Sequence, residues 1–278
     1  GQDVLESGGA AVYAIADGWL NRALGAGPAR KGVAVSPALP LVLRGRAPAS
    51  NYAPSFAPPP SADTLARLMD LYDGDSLLGP ALASAAETEA IAGGAGMAGA
   101  SQAARGGYAG QWKELAAAAA KLLAQPEGPQ AGVLAFDGWD THANQGAADG
   151  QLAGRLAALD AALRALKDGL GEDWARTVVV VATEFGRTAA VNGTGGTDHG
   201  TGGAAFVLGG AVKGGRILGD WPGLGALYQD RDVPPANDLR ALFAGILAEH
   251  WGLSRSDLAT KVFPGSGALR RIEGIVRA

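Results

Sequence analysis

Apolar residues recur along this chain with two periods, and the alternation between them predicts its elements. Leu65, Leu68, Met69 and Tyr72 stand at helical spacing behind Ser61 and Asp63, either of which can cap a helix start. The stretches ALASAAETEAIAGG and AGQWKELAAAAAKLLAQ continue a helix-rich middle, the second by propensity alone. Leu152, Leu156, Leu159, Leu163, Leu166 and Leu170 make one apolar stripe on a further helix. Short apolar runs of strand length are interleaved with these. Val33, Val35, Leu41, Val42 and Leu43 fit short strands, as do GVLAF at 132–136 and TVVVVAT at 177–183. Strand, helix, strand over 132–183 reads as a parallel βαβ crossover. AAFVLGG and VKGGRILG read as a hairpin divided by two glycines. NDLRALFAGILAEHWGL reads as a helix with Asn237 at or near its N-cap and Gly252 as its stop.

Composition narrows this picture. The chain has 278 residues, of which 47% are hydrophobic, ample for one main domain with a large core. APPPS at 57–61 must be an extended connection and is the best internal boundary, so residues 61–125 read as a helix-rich insertion within a single domain 1–278. A net charge of −4, with no cluster of Lys and Arg, offers no field for a phosphate backbone, which argues against nucleic acid. No run approaches the roughly 18 apolar residues of a transmembrane helix. The start, GQDVLESGG, has neither a basic nor an apolar leader region, so any targeting signal is expected to have been removed or never included.

The chain contains no cysteine, so a metal here must be held by oxygen and imidazole nitrogen. Polar residues of parallel sheets gather functionally beyond the strand carboxyl ends. After the first crossover strand come Asp137, Asp140, Thr141, His142, Asn144 and Gln145; after the second come Glu184, Arg187 and Thr188. The glycine-rich loop that follows adds Asp198 and His199. Carboxylates with neutral imidazoles suit zinc or manganese, and two histidines are enough for one such ion. Several acids together also need a counter-charge, which a cation or, in part, Arg187 supplies. Plainer readings stand beside this one: Asp140 and Thr141 as caps, Glu184 paired with Arg187 at the surface, and NGTGGTDHG as a simple loop. His250, beside Trp251, reads as a structural or helix-end residue. There is no GxSxG elbow, and GTGGTDHGTGG neither directly follows a strand nor opens a helix, which speaks against a dinucleotide fingerprint.

The series DGWLNR at 17–22, GWDTHANQ at 138–145, TEFGRT at 183–188, NGTGGTDHG at 192–200 and the glycines around 209–219 resembles the bacterial domain-of-unknown-function family 1501, in order over nearly the whole chain. The resemblance implies a place in the alkaline phosphatase and sulfatase superfamily, and hence a three-layer α/β/α sandwich around a mostly parallel sheet. It also implies a periplasmic or exported protein, since such chains commonly carry a twin-arginine signal. Carried onto this sequence, it makes Asp140, His142, Glu184, Asp198 and His199 ligands of a divalent metal, zinc or manganese. Arg187 becomes a clamp for an anionic ester, and Thr141 a weak substrate-binding or nucleophile candidate. Two departures stand out. The strand that normally carries the superfamily's nucleophile is expected to lie upstream of this segment. Phe185 also occupies a place where a ligating histidine usually follows the acid.

These readings predict a metal-dependent hydrolase-like protein acting on small phosphate or sulfate esters. The alternative is an exported binding or assembly protein that keeps the scaffold without catalysis, because fold membership does not establish activity. In a third reading, the acids and histidines form a hydrogen-bonded network without metal.

Overall fold

The computed structural model describes residues 1–53, 60–94 and 107–277. Its elements run α1 (Gln2–Ser7), α2 (Trp19–Leu24), β1 (Gly32–Val35), β2 (Ala49–Tyr52), α3 (Ala62–Leu71), α4 (Leu78–Gly94), α5 (Gly107–Leu123), β3 (Ala131–Val133) and α6 (Gln151–Leu170). There follow β4 (Val179–Val181), β5 (Gly186–Arg187), β6 (His199–Gly200), β7 (Phe206–Leu208), α7 (Leu239–Trp251) and α8 (Arg255–Asp257). The fold is mixed α/β on a parallel three-stranded sheet ordered β2-β1-β3.

All four residues of β1 are buried, as expected for a central parallel strand covered on both faces. Its alternation sorts the core. Val33 and Val35 belong to a cluster with Trp112, Ala116 and Leu122 of α5 and Ala158, Leu159 and Leu166 of α6. Ala34 meets Leu24, Val42 and Leu43 in another cluster. Helical layers thus flank the sheet, as in an α/β sandwich. Small residues let α5 and α6 come close together: a methyl group added at Gly169 would stand 2.6 Å from Ala120 Cβ.

The predicted helices form, with departures in two details. Ser61 caps α3, accepting a hydrogen bond from the Thr64 N–H at 3.1 Å. α4 and α5 cover the two alanine-rich stretches, and Leu159, Leu166 and Leu170 of the α6 stripe are buried, although Leu156 is exposed. Gly252 ends α7 in the left-handed conformation at φ 68°, while Asp238 rather than Asn237 is the N-cap. The Asn237 side chain instead bonds to the backbone of Asp220. Residues 57–59 of the proline cluster lie outside the described residues.

Strand pairing departs from expectation. Leu41–Leu43 form a single 3-10 turn, and the polar β2 takes the sheet edge next to β1. β3 and β4 do not make a common parallel ladder: β3 pairs with β1, whereas β4 pairs antiparallel with β7, placing Val179 opposite Leu208. AAFVLGG therefore serves β4 rather than folding back on VKGGRILG, and Val212 forms an isolated bridge with Val276 instead. The glycines explain part of this. A side chain at Gly209 would collide with the Thr177 carbonyl, and one at Gly210 with Ala175 Cα, so only a bare backbone lets the end of β7 close over the entry to β4.

The N- and C-terminal segments close on one another. Trp19 stacks on Phe243 of α7 at 4.7 Å and lies 5.6 Å from Phe263. Arg22 donates to the carbonyls of Ser7, Asp17, Lys261 and Val262 and pairs with the Asp17 carboxylate at 2.7 Å. Glu249 accepts from the backbone N–H groups of Gly274, Ile275 and Val276, which pins the C-terminal tail along α7.

Candidate metal centre

Three loops converge beyond the strands, and glycine allows their backbones to touch. The two-residue ladder of β5 and β6 sets Arg187 opposite His199. A side chain at Gly186 would overlap the Gly202 carbonyl, and one at Gly196 would overlap the backbone of His142. Ala143 bridges to Gly195, with Asn144 donating to the Thr194 carbonyl at 3.0 Å and Gln145 to that of Gly195 at 2.9 Å. The GWDTHANQ and NGTGGTDHG segments are thereby laced together through main chain.

This lacing gathers the histidines about one carboxylate oxygen. Asp140 Oδ1 lies 2.9 Å from His142 Nε2 and 2.8 Å from His199 Nε2, and it also accepts from Arg187 Nη1. Candidate ligand atoms of Asp140, His142 and His199 all lie within 4.8 Å of one another. The two imidazole rings are tilted at a centroid distance of 5.0 Å, and Phe185 stands 5.4 Å from the His199 ring. Phe185 is thus a wall beside the histidine. All three candidate ligands are exposed, so the cluster opens to solvent.

Asp198 occupies a different position. Its Oδ1 faces the other nitrogen of His142, Nδ1, at 3.0 Å, and it also accepts from the Asn192 amide at 3.0 Å. The hydrogen bond from His142, followed by that from Asn192, holds the Asp198 carboxyl below the usual carboxylate range. Asp140 is lowered as well, first by the hydrogen bond with His199, with burial opposing it and Arg187 reinforcing it.

The remaining sequence candidates are placed as follows. Glu184 is not among the three converging ligands; its carboxylate is 3.5 Å from the Thr183 hydroxyl, and its side chain lies beside Gly1. The surface pairing of Glu184 with Arg187 gives way to the pair of Arg187 with Asp140. Arg187 is further held through Nε to the Thr197 hydroxyl at 2.9 Å and through Nη2 to the Thr197 carbonyl, so three of its nitrogens are engaged inside the protein. Thr141 is buried, and its hydroxyl donates to Gln145 Oε1 at 2.8 Å, which removes it from the surface where a substrate would arrive. Gln145 Oε1 also accepts from Thr197, so these groups form a frame beneath the histidines. Asp137 takes no part in the cluster.

Asn192 was missed by sequence reasoning. Its amide donates to Asp198 Oδ1 and to the His142 carbonyl, while its oxygen accepts from the N–H groups of Thr194 and Gly196. The signal available for it was its place at the head of a glycine-rich loop, where asparagine commonly bonds to the backbone ahead.

A divalent ion fits this donor set. Two imidazoles and a carboxylate are hard-to-borderline ligands, and three protein groups at an open surface leave positions free, as catalytic zinc sites do. One candidate ligand atom from each of the three residues lies within 4.8 Å of the other two.

A search of curated proteins and of solved structures found no match. The family model described as a protein of unknown function, DUF1501, matches residues 4–262. With the motif series of its loops and nearly its full length covered by that match, the chain belongs to the DUF1501 family.

Proposed function

We propose that this protein is a metal-dependent hydrolase-like member of the alkaline phosphatase superfamily, exported to the periplasm and acting on phosphate or sulfate esters, with Asp140, His142 and His199 holding one zinc or manganese ion. One observation supports this above the others: both ring nitrogens of His142 face carboxylate oxygens, Nε2 toward Asp140 and Nδ1 toward Asp198. A neutral imidazole has a single N–H and cannot donate in both directions. A metal cation at Nε2 would satisfy both contacts, with Nδ1–H donating to Asp198 in the arrangement that commonly orients metal-bound histidines; a ring carrying both N–H groups is the metal-free counterpart.

When bound, the ion would supply Lewis acidity toward an ester oxygen and lower the pKa of a water. The chain's own residues do the rest. Asp198 and Asn192 fix the His142 ring, Arg187 balances the charge of Asp140, and Phe185 shields one side of His199. Buried Thr141, Thr188 and Thr197 all have engaged hydroxyls, so a side-chain nucleophile is not expected from them.

The second reading is a non-catalytic binding or assembly protein on the same scaffold, supported by the engagement of the Thr141, Thr188 and Thr197 hydroxyls. Metal analysis of protein purified without chelator, followed by a screen of aryl phosphates and sulfates, separates the two. Bound zinc or manganese and turnover lost in His199→Ala support the hydrolase. Bound metal without turnover supports the binding protein.

A further inference from the structure

A second arginine, Arg231, touches the main chain of His199. Residues 228–232 form a tight turn in which the Tyr228 N–H donates to the Asp232 carbonyl at 2.7 Å and the Asp232 N–H returns to Tyr228 at 2.9 Å. Two successive non-glycine residues within it, Gln229 at φ 54° and Asp230 at φ 56°, hold left-handed backbone, which side chains with a Cβ disfavour. This is the geometry of the two central residues of a tight type I′ turn, closed by the Arg231 N–H donating to the Tyr228 carbonyl at 3.2 Å. The Ala189 N–H donates to the Arg231 carbonyl at 3.1 Å, tying the turn to the segment just after Arg187.

The turn presents Arg231. Its Nε and Nη2 each meet a different oxygen of Asp232 at 3.2 Å, a two-pronged pairing with a carboxylate that is only 2% exposed. Nη2 also reaches the His199 carbonyl at 3.4 Å. Arg231 itself is 54% exposed, and among the described residues its Nη1 makes no hydrogen bond. A buried acid thus orients a cation whose Nη1 remains free and whose Nη2 touches the main-chain carbonyl of His199. Arg187, by contrast, already has Nε, Nη1 and Nη2 engaged by Thr197 and Asp140.

We propose that Arg231, held by Asp232, is the residue that binds the anionic group of the ligand at the Asp140–His142–His199 centre, the ligand class being a tetrahedral oxyanion, free or as a terminal monoester. This rests on the metal reading of that centre. A guanidinium offers parallel donors matched to two oxygens of such an anion, whereas a lysine ammonium is a single point of charge. The competing role for Arg231 is simply to neutralise buried Asp232, which would affect stability but not anion affinity.

The test is a calorimetric titration of the zinc-loaded full chain with inorganic phosphate and, in parallel, inorganic sulfate. Wild type is compared with Arg231→Lys and Arg231→Ala, with zinc content and melting temperature recorded for each. The expected result is at least a tenfold loss of affinity for one or both anions in Arg231→Lys, with zinc content and melting unchanged; the anion affected names the ester class. Should Arg231→Ala melt early because Asp232 loses its partner, Arg231→Lys and the double variant Arg231→Gln with Asp232→Asn carry the comparison. Equal anion affinity in wild type and Arg231→Lys at full zinc content overturns the role of Arg231 alone, as does zinc-loaded wild type that binds neither anion. Wild type that retains no zinc overturns the metal reading and this inference with it.

Discussion

His142 Nδ1 stands 3.0 Å from Asp198 Oδ1, while the opposite ring nitrogen faces Asp140. The imidazole is therefore held between two carboxylates; in the proposed metal site Asp140 would share the cation and Asp198 would orient the ring. Asp198→Asn keeps the shape but weakens that orientation, and outer-sphere changes of this kind lower metal affinity by roughly 10–100-fold. His142→Ala removes a ligand and should cost more. Competition with a chromogenic zinc chelator measures both, and an Asp198→Asn protein that holds zinc as tightly as wild type would show that Asp198 does not serve the centre.

Because the cluster exists only when three loops are assembled, an ion bound there stabilises the folded chain by mass action. At a free zinc concentration 100 times the dissociation constant, the gain is about 2.7 kcal/mol. Melting should rise on adding zinc and fall back with chelator, and His199→Ala should remove the response. Melting that ignores both reagents would instead favour the hydrogen-bonded network without metal.

Gly196 lies where any Cβ would overlap the backbone of His142. Gly196→Ala must push the two loops apart, moving the His142 ring away from Asp140. Overpacking of this kind typically costs about 1–3 kcal/mol. Zinc affinity is expected to drop by more than the change in overall stability accounts for, as seen by comparing chelator competition with urea unfolding. A variant that binds zinc normally would mean that the loop contact is not needed for the site.

Arg22 joins the carbonyls of Ser7, Asp17, Lys261 and Val262 to a single side chain. Arg22→Ala strands several of these acceptors, at about 1–3 kcal/mol for each one that stays buried and unpaired. Arg22→Lys should restore little, since one ammonium cannot reach carbonyls arranged for a fork. Urea titration of both variants checks this; a lysine variant as stable as wild type would contradict it.

His250, in the last turn of α7, has its pKa lowered first by burial and then by the nearby Arg30 charge. With the folded value below the ordinary 6.5, the unfolded chain takes up the proton first as pH falls. Stability therefore declines as pH drops through 6.5 toward the folded value, below which this contribution no longer changes. In His250→Gln the slope of stability against pH should flatten over that window. A slope identical to wild type would assign the acid sensitivity to other groups.

Local signals in the sequence were sufficient for the longer helices, whereas the short helices at Gln2–Ser7, Trp19–Leu24 and Arg255–Asp257 were not foreseen. Capping by Ser61, the left-handed stop at Gly252 and the leucine stripe of α6 each involve residues within a few positions of one another, so short-range stereochemistry determines them. The residues that converge as Asp140, His142 and His199 were also legible as candidates, because two of three histidines fell in acid-bearing loops. Partnership was decided by the tertiary structure. An apolar run such as Val179–Val181 is compatible with any neighbouring strand, and assembly gave it β7 in antiparallel rather than β3 in parallel. In the same way, Arg187 went to Asp140 instead of nearby Glu184, Asn192 was drawn in from the loop, and Arg231 arrived beside His199 from 32 positions further along. Contacts between distant segments depend on how bare glycine backbones let the loops approach, and that spacing is settled only when the whole core closes.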